Sequence, residues 1–388
     1  MVQQDAGKSG NNQEKALMRI FVKRSFKIDI VSLVIIFLIS CSVHQAPLIS
    51  TENPNSSITE PITSVTPPIL LPDSQEFLTK DQITTLSSLQ KIDDFPLYTM
   101  FFKGALPGFD QNIDFNVPDQ NFLTDLFSKP DWACSLFAAL GDEQDFKFGR
   151  NFDWEYSPGL LLFTNPANGY ASVSMVDIAY LGFEDQQLDH LQELELAELT
   201  PILDAPNWPF DGMNEAGLAI GMAAVPSGQM NPDPEKSSIG SLQVIRRILD
   251  SAANVREAVS IMDSYNIDFR GGPDLHYLVA DQSGAAVLVE FFEGEMHFIP
   301  NADPWHLATN FLTSSMENSQ GQCSRYDKVF DTMLETGGNL SPLFAGELLS
   351  TVSQNNTQWS VVYNLHNGII QVTMDRQFDK IHEYQLIP

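Results

Sequence analysis

The chain has 388 residues, of which 43% are hydrophobic and 18% charged, and its formal net charge is −29. This composition is typical of a globular protein with a sizeable core, arranged in one large or two small domains. The strong negative charge repels phosphate backbones and anionic lipid surfaces. Nucleic acid is therefore not an expected partner, and neither is broad electrostatic adhesion to a membrane.

The first 41 residues predict export. Basic residues at positions 23–27 precede an apolar run at 30–39, which is shorter than the roughly 20 residues that span a bilayer. A positive start followed by an apolar centre is typical of a secretory signal peptide. The sequence Leu38-Ile39-Ser40-Cys41 is similar to a bacterial lipobox, with cleavage before Cys41 and lipid on its sulfur. The alternatives are an ordinary signal peptide with a coincidental cysteine, and a retained membrane anchor.

Two segments separate this leader from the main domain. Residues 42–72 are rich in Ser, Thr, Pro and Asn and predict an extended, disordered tether, because they cannot bury enough apolar surface to fold. Residues 73–133 predict a pro-segment with a helix at 73–91 and a strand at 95–102. The Pro- and Asp-containing stretch that follows, 104–131, is the expected place for a removable connection, while the helix and strand can stay with the mature protein.

The remainder, 134–388, predicts the catalytic domain. The expected strands are 134–140 and 146–152, forming a hairpin, then 170–180, 218–224, 276–281, 285–292, 296–300, 359–365 and 369–374. The expected helices are 189–198, 242–250, 254–265, with a capping box from Asn254 to Glu257, and 343–352, begun by Ser341-Pro342. Runs of strands divided by paired helices predict an α+β fold of two antiparallel sheets with helices on their outer faces.

Cys134 is the candidate nucleophile. Arg150 and Asp153 follow it after a short turn. A guanidinium lowers a thiol pKa by stabilising the thiolate, and a carboxylate can hold a protonatable amine. Cys134 has no evident general base as an internal residue. As a new N-terminus it would carry its own base, because an α-amine has a pKa near 8.

The sequence resembles the N-terminal-nucleophile amide hydrolases, in the branch that holds choloylglycine hydrolase, penicillin V acylase, acid ceramidase and N-acylethanolamine acid amidase. The resemblance extends from about residue 95 to the C-terminus. Its blocks are Cys134, Gly149-Arg150-Asn151-Phe152-Asp153-Trp154, Asp211-Gly212-Met213-Asn214-Glu215-Ala216-Gly217-Leu218, Thr309-Asn310, Ser324-Arg325-Tyr326 and the closing run Gln358-Trp359-Ser360-Val361-Val362-Tyr363-Asn364-Leu365.

The resemblance implies a four-layer αββα sandwich and a set of site residues. Cys134 would be freed by self-cleavage and attack an amide carbonyl of a small N-acyl compound, with Arg150 beside its sulfur. Asp153 would hydrogen-bond the α-amine, and Asn310 would offer its side-chain NH₂ to the oxyanion. Arg325 would fix the surrounding polar network. No cofactor and no metal are implied.

Two features of the sequence depart from the bile salt hydrolase pattern. Ala224 stands where those enzymes place an oxyanion asparagine, so a second donor would have to be a backbone N–H of residues 221–224. The interval from Asn310 to Arg325 is short, as in the acid ceramidase and acylethanolamine amidase branch. Bile-salt specificity is therefore not expected.

Other polar residues have simpler explanations. Asn214 and Glu215 are expected to form a turn, and Cys323 to be a small buried residue. The seven histidines show no paired metal-binding spacing, and no glycine-rich nucleotide loop occurs.

The predicted function is that of an exported, lipid-tethered, self-processing cysteine amidase. Two alternatives remain at this point. An acyltransferase of the penicillin-acyltransferase type would use the same nucleophile, with an amine in place of water. A surface lipoprotein could also keep the fold without catalysing a reaction. The sequence carries no signal of oligomeric state.

The lipobox gives the first testable prediction. The native protein should sediment with membranes, because a lipid on Cys41 anchors the exported chain, and Cys41→Ser should move it to the soluble fraction. Fractionation shows whether the protein sediments with membranes, and intact-mass measurement shows whether Cys41 carries a lipid. A soluble cytoplasmic protein that keeps residues 20–41 would contradict the prediction.

Overall fold

Strands form two large sheets in the computed structural model, which describes residues 78–106, 133–228 and 230–386. The nine-stranded sheet runs, edge to edge, through β1 (Gln90–Asp93), β2 (Leu97–Phe101), β5 (Gly159–Thr164), β6 (Ser172–Asp177), β7 (Pro209–Asn214), β8 (Leu218–Ala224), β11 (Leu275–Asp281), β12 (Ala286–Phe292) and β13 (Glu295–Pro300). The six-stranded sheet runs through β14 (Trp305–Ala308), β3 (Ala133–Ala139), β4 (Lys147–Asp153), β15 (Thr357–Asn364), β16 (Ile369–Met374) and β17 (His382–Gln385). A small parallel pair joins β9 (Ser237–Gly240) to β10 (Tyr265–Asp268).

Helices cover the outer faces of both large sheets. The α-helices of the described residues are α1 (Lys80–Leu86), α2 (Gln243–Ser251), α3 (Val255–Asp263), α4 (Ser324–Thr336) and α5 (Pro342–Thr351). Helix α2 packs on β7 and β8 and α3 on β11, while α4 packs on β3 and β14 and α5 on β4 and β15. Short 3₁₀ helices lie at Ile178–Leu181, Leu191–Glu193, Thr200–Asn207 and Thr313–Ser315.

Alternation along β3 shows how the layers are assembled. Because successive side chains of a strand point to opposite faces, Cys134, Leu136 and Ala138 enter the core between the sheets. Phe137 and Ala139 enter the second core, beneath α4 and α5. The predicted four-layer αββα sandwich is confirmed.

One pairing differs from the prediction of purely antiparallel sheets. Strand β2 pairs with β5 in parallel, although the other pairs in the two large sheets are antiparallel. Strand β2 precedes Cys134 in the chain. Together with β1, which pairs with it, β2 adds two strands to one edge of the nine-stranded sheet.

Several local predictions are wrong. The acidic stretch predicted as a helix at 189–198 contains, of regular elements, only the 3₁₀ turn Leu191–Glu193. The stretch 170–180 is not one strand, since β6 ends at Asp177 and a 3₁₀ helix follows. Helix α4 and the strands β1, β5, β7, β9, β10, β14 and β17 have no counterpart in the predicted elements.

The predicted caps do occur. The side chain of Asn254 accepts from the backbone N–H of Glu257, and that of Ser341 accepts from Phe344 N–H. The predicted capping box is only half formed, because the Glu257 carboxylate accepts from the N–H of Ala253 instead of that of Asn254. No helix within the described ranges is long and apolar enough to cross a membrane. The predicted signal peptide, Cys41, the tether at 42–72 and most of the stretch 104–131 lie outside the described residues.

The segment before Cys134 is attached to the rest by buried polar contacts. The buried carboxylate of Asp93, at the end of β1, accepts from Lys380 Nζ at 2.7 Å and contacts His382 Nε2 at 2.6 Å. Burial alone would raise the pKa of Asp93, but these two partners outweigh it and lower the pKa. Tyr98 of β2 donates its hydroxyl to the carbonyl of Leu188 at 3.0 Å.

Asp93→Asn tests this attachment. The variant loses two charge-assisted contacts, so the free energy of unfolding should fall by about 1–3 kcal/mol at pH 7. Because the pKa of Asp93 is lower in the folded state, its carboxylate stabilises the fold at pH values above the unfolded-state pKa near 3.8. This stabilisation is lost as the pH falls through the folded-state pKa. The difference between wild type and variant should therefore shrink below about pH 4. Urea unfolding of wild type and variant, at pH 7 and below pH 4, measures this difference in the free energy of unfolding. A difference that does not change with pH would contradict the role given to the Asp93 carboxylate.

Candidate active site

Cys134 lies near the start of β3 and is 2% exposed. Its Sγ is 3.9 Å from Arg150 Nη2. Its backbone N–H donates to the side-chain oxygen of Asn310 at 2.7 Å. The sulfur and the main-chain nitrogen of this buried residue therefore each have a polar group facing them.

Arg150 is held in place by a contact between the sheets. It lies on the same face of β4 as Phe152, over whose ring its guanidinium carbon sits 4.9 Å from the centroid. Its Nη1 forms a wholly buried ion pair with Asp211 of β7. Tyr363 of β15 donates its hydroxyl to the other oxygen of Asp211 at 2.5 Å. Three strands of two sheets thus fix one guanidinium beside the thiol.

Burial and charge act in opposite directions on this thiol. Burial raises the pKa of Cys134, the Arg150 charge lowers it, and the nearby Asp153 charge raises it. The net direction is upward. A guanidinium was expected to lower the thiol pKa, and it does so only in part, because desolvation of a buried thiolate is the larger effect.

Asn310 and Arg325 form a network around the backbone of Cys134. Arg325, near the start of α4, donates to the Cys134 carbonyl, to Ser135 Oγ at 2.9 Å and to Asn310 Oδ1 at 2.9 Å. Asn310 Nδ2 donates to the carbonyl of Ala224 at 2.7 Å. The oxygen of Asn310 meets only donors and its nitrogen meets an acceptor, so this orientation of the amide follows from its partners.

Asp153 ends β4 on the side of the sheet where Arg325 lies. One carboxylate oxygen accepts from Thr357 Oγ1 at 2.5 Å. The other is buried, has no hydrogen-bond partner among the described residues, and is 3.9 Å from Arg325 Nη1. Burial raises the pKa of Asp153 to about 6, against the Thr357 hydrogen bond and the two arginine charges. Because most buried polar atoms have partners, this oxygen marks a place for a donor.

The structure brings the five predicted site residues together, and it adds others that the sequence reasoning missed. Asp211, Tyr363 and Thr357 were assigned no role, although Asp211 opens one matched block and Tyr363 lies in the closing run. Asn214 forms a turn as expected, since its oxygen accepts from the N–H groups of Ala216 and Leu218. Cys323 is half-buried at the N-cap of α4.

The described residues contain no group of three or more His, Cys, Asp or Glu side chains that could hold a metal ion.

Two facing sheets with helices outside, and a cysteine at the start of an inner strand, define the N-terminal-nucleophile hydrolase fold. Residues 134–304 match the family model of linear amide C–N hydrolases, choloylglycine hydrolase family. This match confirms the family resemblance found in the sequence, and it begins at Cys134.

Solved structures of conjugated bile acid hydrolase and penicillin V acylase are similar to this chain. A mutant of the hydrolase from Clostridium perfringens is 17% identical over 65% of this chain and 92% of its own, with a TM-score of 0.48. The acylase from Agrobacterium tumefaciens is 16% identical over 62% of this chain and 83% of its own, with a TM-score of 0.42. No curated protein sequence gives a significant match.

The buried ion pair yields a prediction about Asp211. Asp211→Asn leaves the Arg150 charge buried without its partner, which typically costs about 3–5 kcal/mol of folding free energy. The control Tyr363→Phe removes only one hydrogen bond to that carboxylate and should cost about 1–3 kcal/mol. Urea unfolding compares the two. Equal losses would show that the charge of Asp211 is not what holds Arg150.

Proposed function

We propose that the chain is a self-processing cysteine amidase that hydrolyses a linear C–N amide bond of a small N-acyl compound. The observation that supports it most is the environment of the Cys134 nitrogen. That nitrogen donates to Asn310 Oδ1, and Asp153, which pairs with Ala133 across the strands, has a buried oxygen without a donor. A free ammonium at Cys134 has three hydrogens, enough for both acceptors.

Self-processing would free this amine. The thiol of Cys134 adds to the carbonyl carbon of Ala133, and the C–N bond between the two residues breaks as the nitrogen takes a proton. Water then hydrolyses the resulting thioester, which leaves a carboxylate on Ala133 and a free thiol and amine on Cys134. The start of the family match at Cys134 supports this position for the cut.

Amide hydrolysis would use the same groups. The α-amine accepts the thiol proton, Sγ attacks the substrate carbonyl, and the amine later gives the proton to the leaving nitrogen. Water then releases the acyl group from sulfur. Arg150 stabilises the thiolate. The second hydrogen of Asn310 Nδ2, the first being bonded to Ala224 O, is available to the oxyanion, and one such donor is worth about 3 kcal/mol in the transition state.

The substrate class follows from the departures from the bile salt hydrolases. The methyl group of Ala224 stands where those enzymes place a second amide donor. The carbonyl oxygen of the same residue accepts a hydrogen bond from Asn310 Nδ2. A small N-acyl amide other than a bile salt is therefore the proposed substrate, acted on by an exported, lipid-tethered enzyme.

Intact-mass measurement with an amidase assay tests this function. Wild type should yield a fragment that starts at Cys134 and should release acid and amine from N-acyl amides. Cys134→Ala should remain one chain, and Cys134→Ser should keep little activity, because its hydroxyl is far less acidic. Cys323→Ser is the matched control and should leave the rate within about twofold.

The contrary outcomes are distinct. An active wild type with an intact bond before Cys134 would exclude the N-terminal-nucleophile mechanism. Transfer of the acyl group to an added amine, with no hydrolysis in water alone, would identify an acyltransferase instead. Activity lost in Cys323→Ser and kept in Cys134→Ser would show that the nucleophile is misassigned.

A further inference from the structure

A buried histidine and a buried glutamate outside the site face the loop that carries Asn310. His276 of β11 and Glu290 of β12 are 1% and 0% exposed. His276 Nδ1 lies 3.3 Å from Glu290 Oε1, and its Nε2 lies 2.7 Å from the carbonyl oxygen of Thr309. The imidazole thus bridges the nine-stranded sheet and the residue immediately before Asn310.

Glu290 holds the other end of the same loop. Its Oε1 accepts from the N–H and the hydroxyl of Thr313, each at 2.8 Å. Its Oε2 accepts from the N–H of Ser314 at 2.7 Å and from the hydroxyl at 2.5 Å. The loop from Thr309 to Ser314 is therefore attached at both ends to one carboxylate, directly on one side and through His276 on the other.

Both nitrogens of His276 face acceptor atoms. The carbonyl of Thr309 has no hydrogen of its own, so the contact at 2.7 Å places a donated hydrogen on Nε2. Burial would raise the pKa of Glu290, but the His276 contact and the Ser314 donors lower it to about 2. Of the titratable neighbours, burial lowers the pKa of His306 and raises that of Tyr326, so neither is charged at neutral pH.

The Thr309 carbonyl constrains the position of Asn310. A peptide unit is planar, so the oxygen of Thr309 and the nitrogen of Asn310 turn together. Holding that oxygen at His276 fixes the N–Cα bond of Asn310 and so limits where its side chain can reach. The amide then meets Cys134 N–H at 2.7 Å and Ala224 O at 2.7 Å.

We propose that His276 is a positioning residue of the amidase reaction, which orients Asn310 toward the nucleophile through its hydrogen bond to the Thr309 carbonyl. The role rests on the proposed function. Among the described residues, the hydrogen bonds of the His276 ring go to Glu290 and Thr309, so its effect on the site would pass through the backbone of the loop.

Two isosteric variants separate the two hydrogen bonds. The amide nitrogen of glutamine replaces imidazole Nε2, and that of asparagine replaces Nδ1. His276→Gln keeps the donor to Thr309, while His276→Asn keeps only the donor to Glu290. Both variants remove the aromatic ring, so they are matched in that loss.

The kcat of His276→Asn should fall about 10- to 100-fold, as for a catalytic group displaced by about 1 Å. Its KM should stay within about twofold. His276→Gln should restore kcat to within about threefold of wild type. Thermal unfolding of both variants serves as the control. The proposal is overturned if the two variants lose kcat equally, or if the loss of kcat in each is explained by its lowered melting temperature.

A double-mutant cycle with Asn310→Ala tests the route of the effect. If His276 acts through Asn310, adding His276→Asn to Asn310→Ala should change kcat by less than about twofold, because coupled residues are not additive. If the fold-losses of kcat of the two single variants multiply in the double variant, the proposal is overturned, since His276 would then act independently of Asn310.

Nuclear magnetic resonance keeps this test independent of turnover. The side-chain NH₂ signal of Asn310, assigned through Asn310→Ala, should shift in His276→Asn and stay in place in His276→Gln. Nε2 of ¹⁵N-labelled His276 should carry a hydrogen, because it donates to the Thr309 carbonyl. If wild type hydrolyses no N-acyl amide, the proposed function fails while these signals still decide whether His276 orients Asn310. A ring without a hydrogen on Nε2, or an unmoved Asn310 signal in His276→Asn, overturns the proposal.

Discussion

The buried ion pair between Arg150 and Asp211 is the constraint on which the site depends. Arg150 comes from the six-stranded sheet and Asp211 from the nine-stranded sheet, and neither side chain is exposed. Two charges out of water are tolerated only where each satisfies the other. The pair therefore fixes the position of one sheet relative to the other, and it places a cation beside the sulfur of Cys134.

The same burial that strengthens this pair opposes ionisation of the thiol. In the intact chain burial raises the pKa of Cys134, so the sulfur is held neutral next to a guanidinium that favours its anion. Attack on a substrate then needs a base close to the sulfur, and under the proposed function the α-amine of Cys134 is that base. Self-cleavage comes before this amine exists and would use the thiol of the uncut chain.

Local signals in the sequence predicted much of the fold, and the family resemblance pointed to the five residues that the structure brings together around Cys134. The hairpin that joins Cys134 to Arg150, the caps at Asn254 and Ser341, and the sandwich of sheets and outer helices are all present. What could not be predicted depends on pairing between distant strands. Asp211 lies 61 positions from Arg150, and Tyr363 lies 152 positions from Asp211, so no periodicity relates them. The His276–Glu290 pair was missed for the same reason, because its two residues belong to different strands.

The parallel pairing of β2 with β5 affects how the mature protein can come apart. If the chain is cut before Cys134, these strands belong to two polypeptides that are joined only by noncovalent contacts. Unfolding then becomes a dissociation, and its midpoint depends on protein concentration. Loss of the short piece would leave β5 as an open sheet edge, which can pair with other chains. The lifetime of such a two-piece protein is set by how fast the short piece leaves, rather than by the equilibrium stability of the uncut precursor.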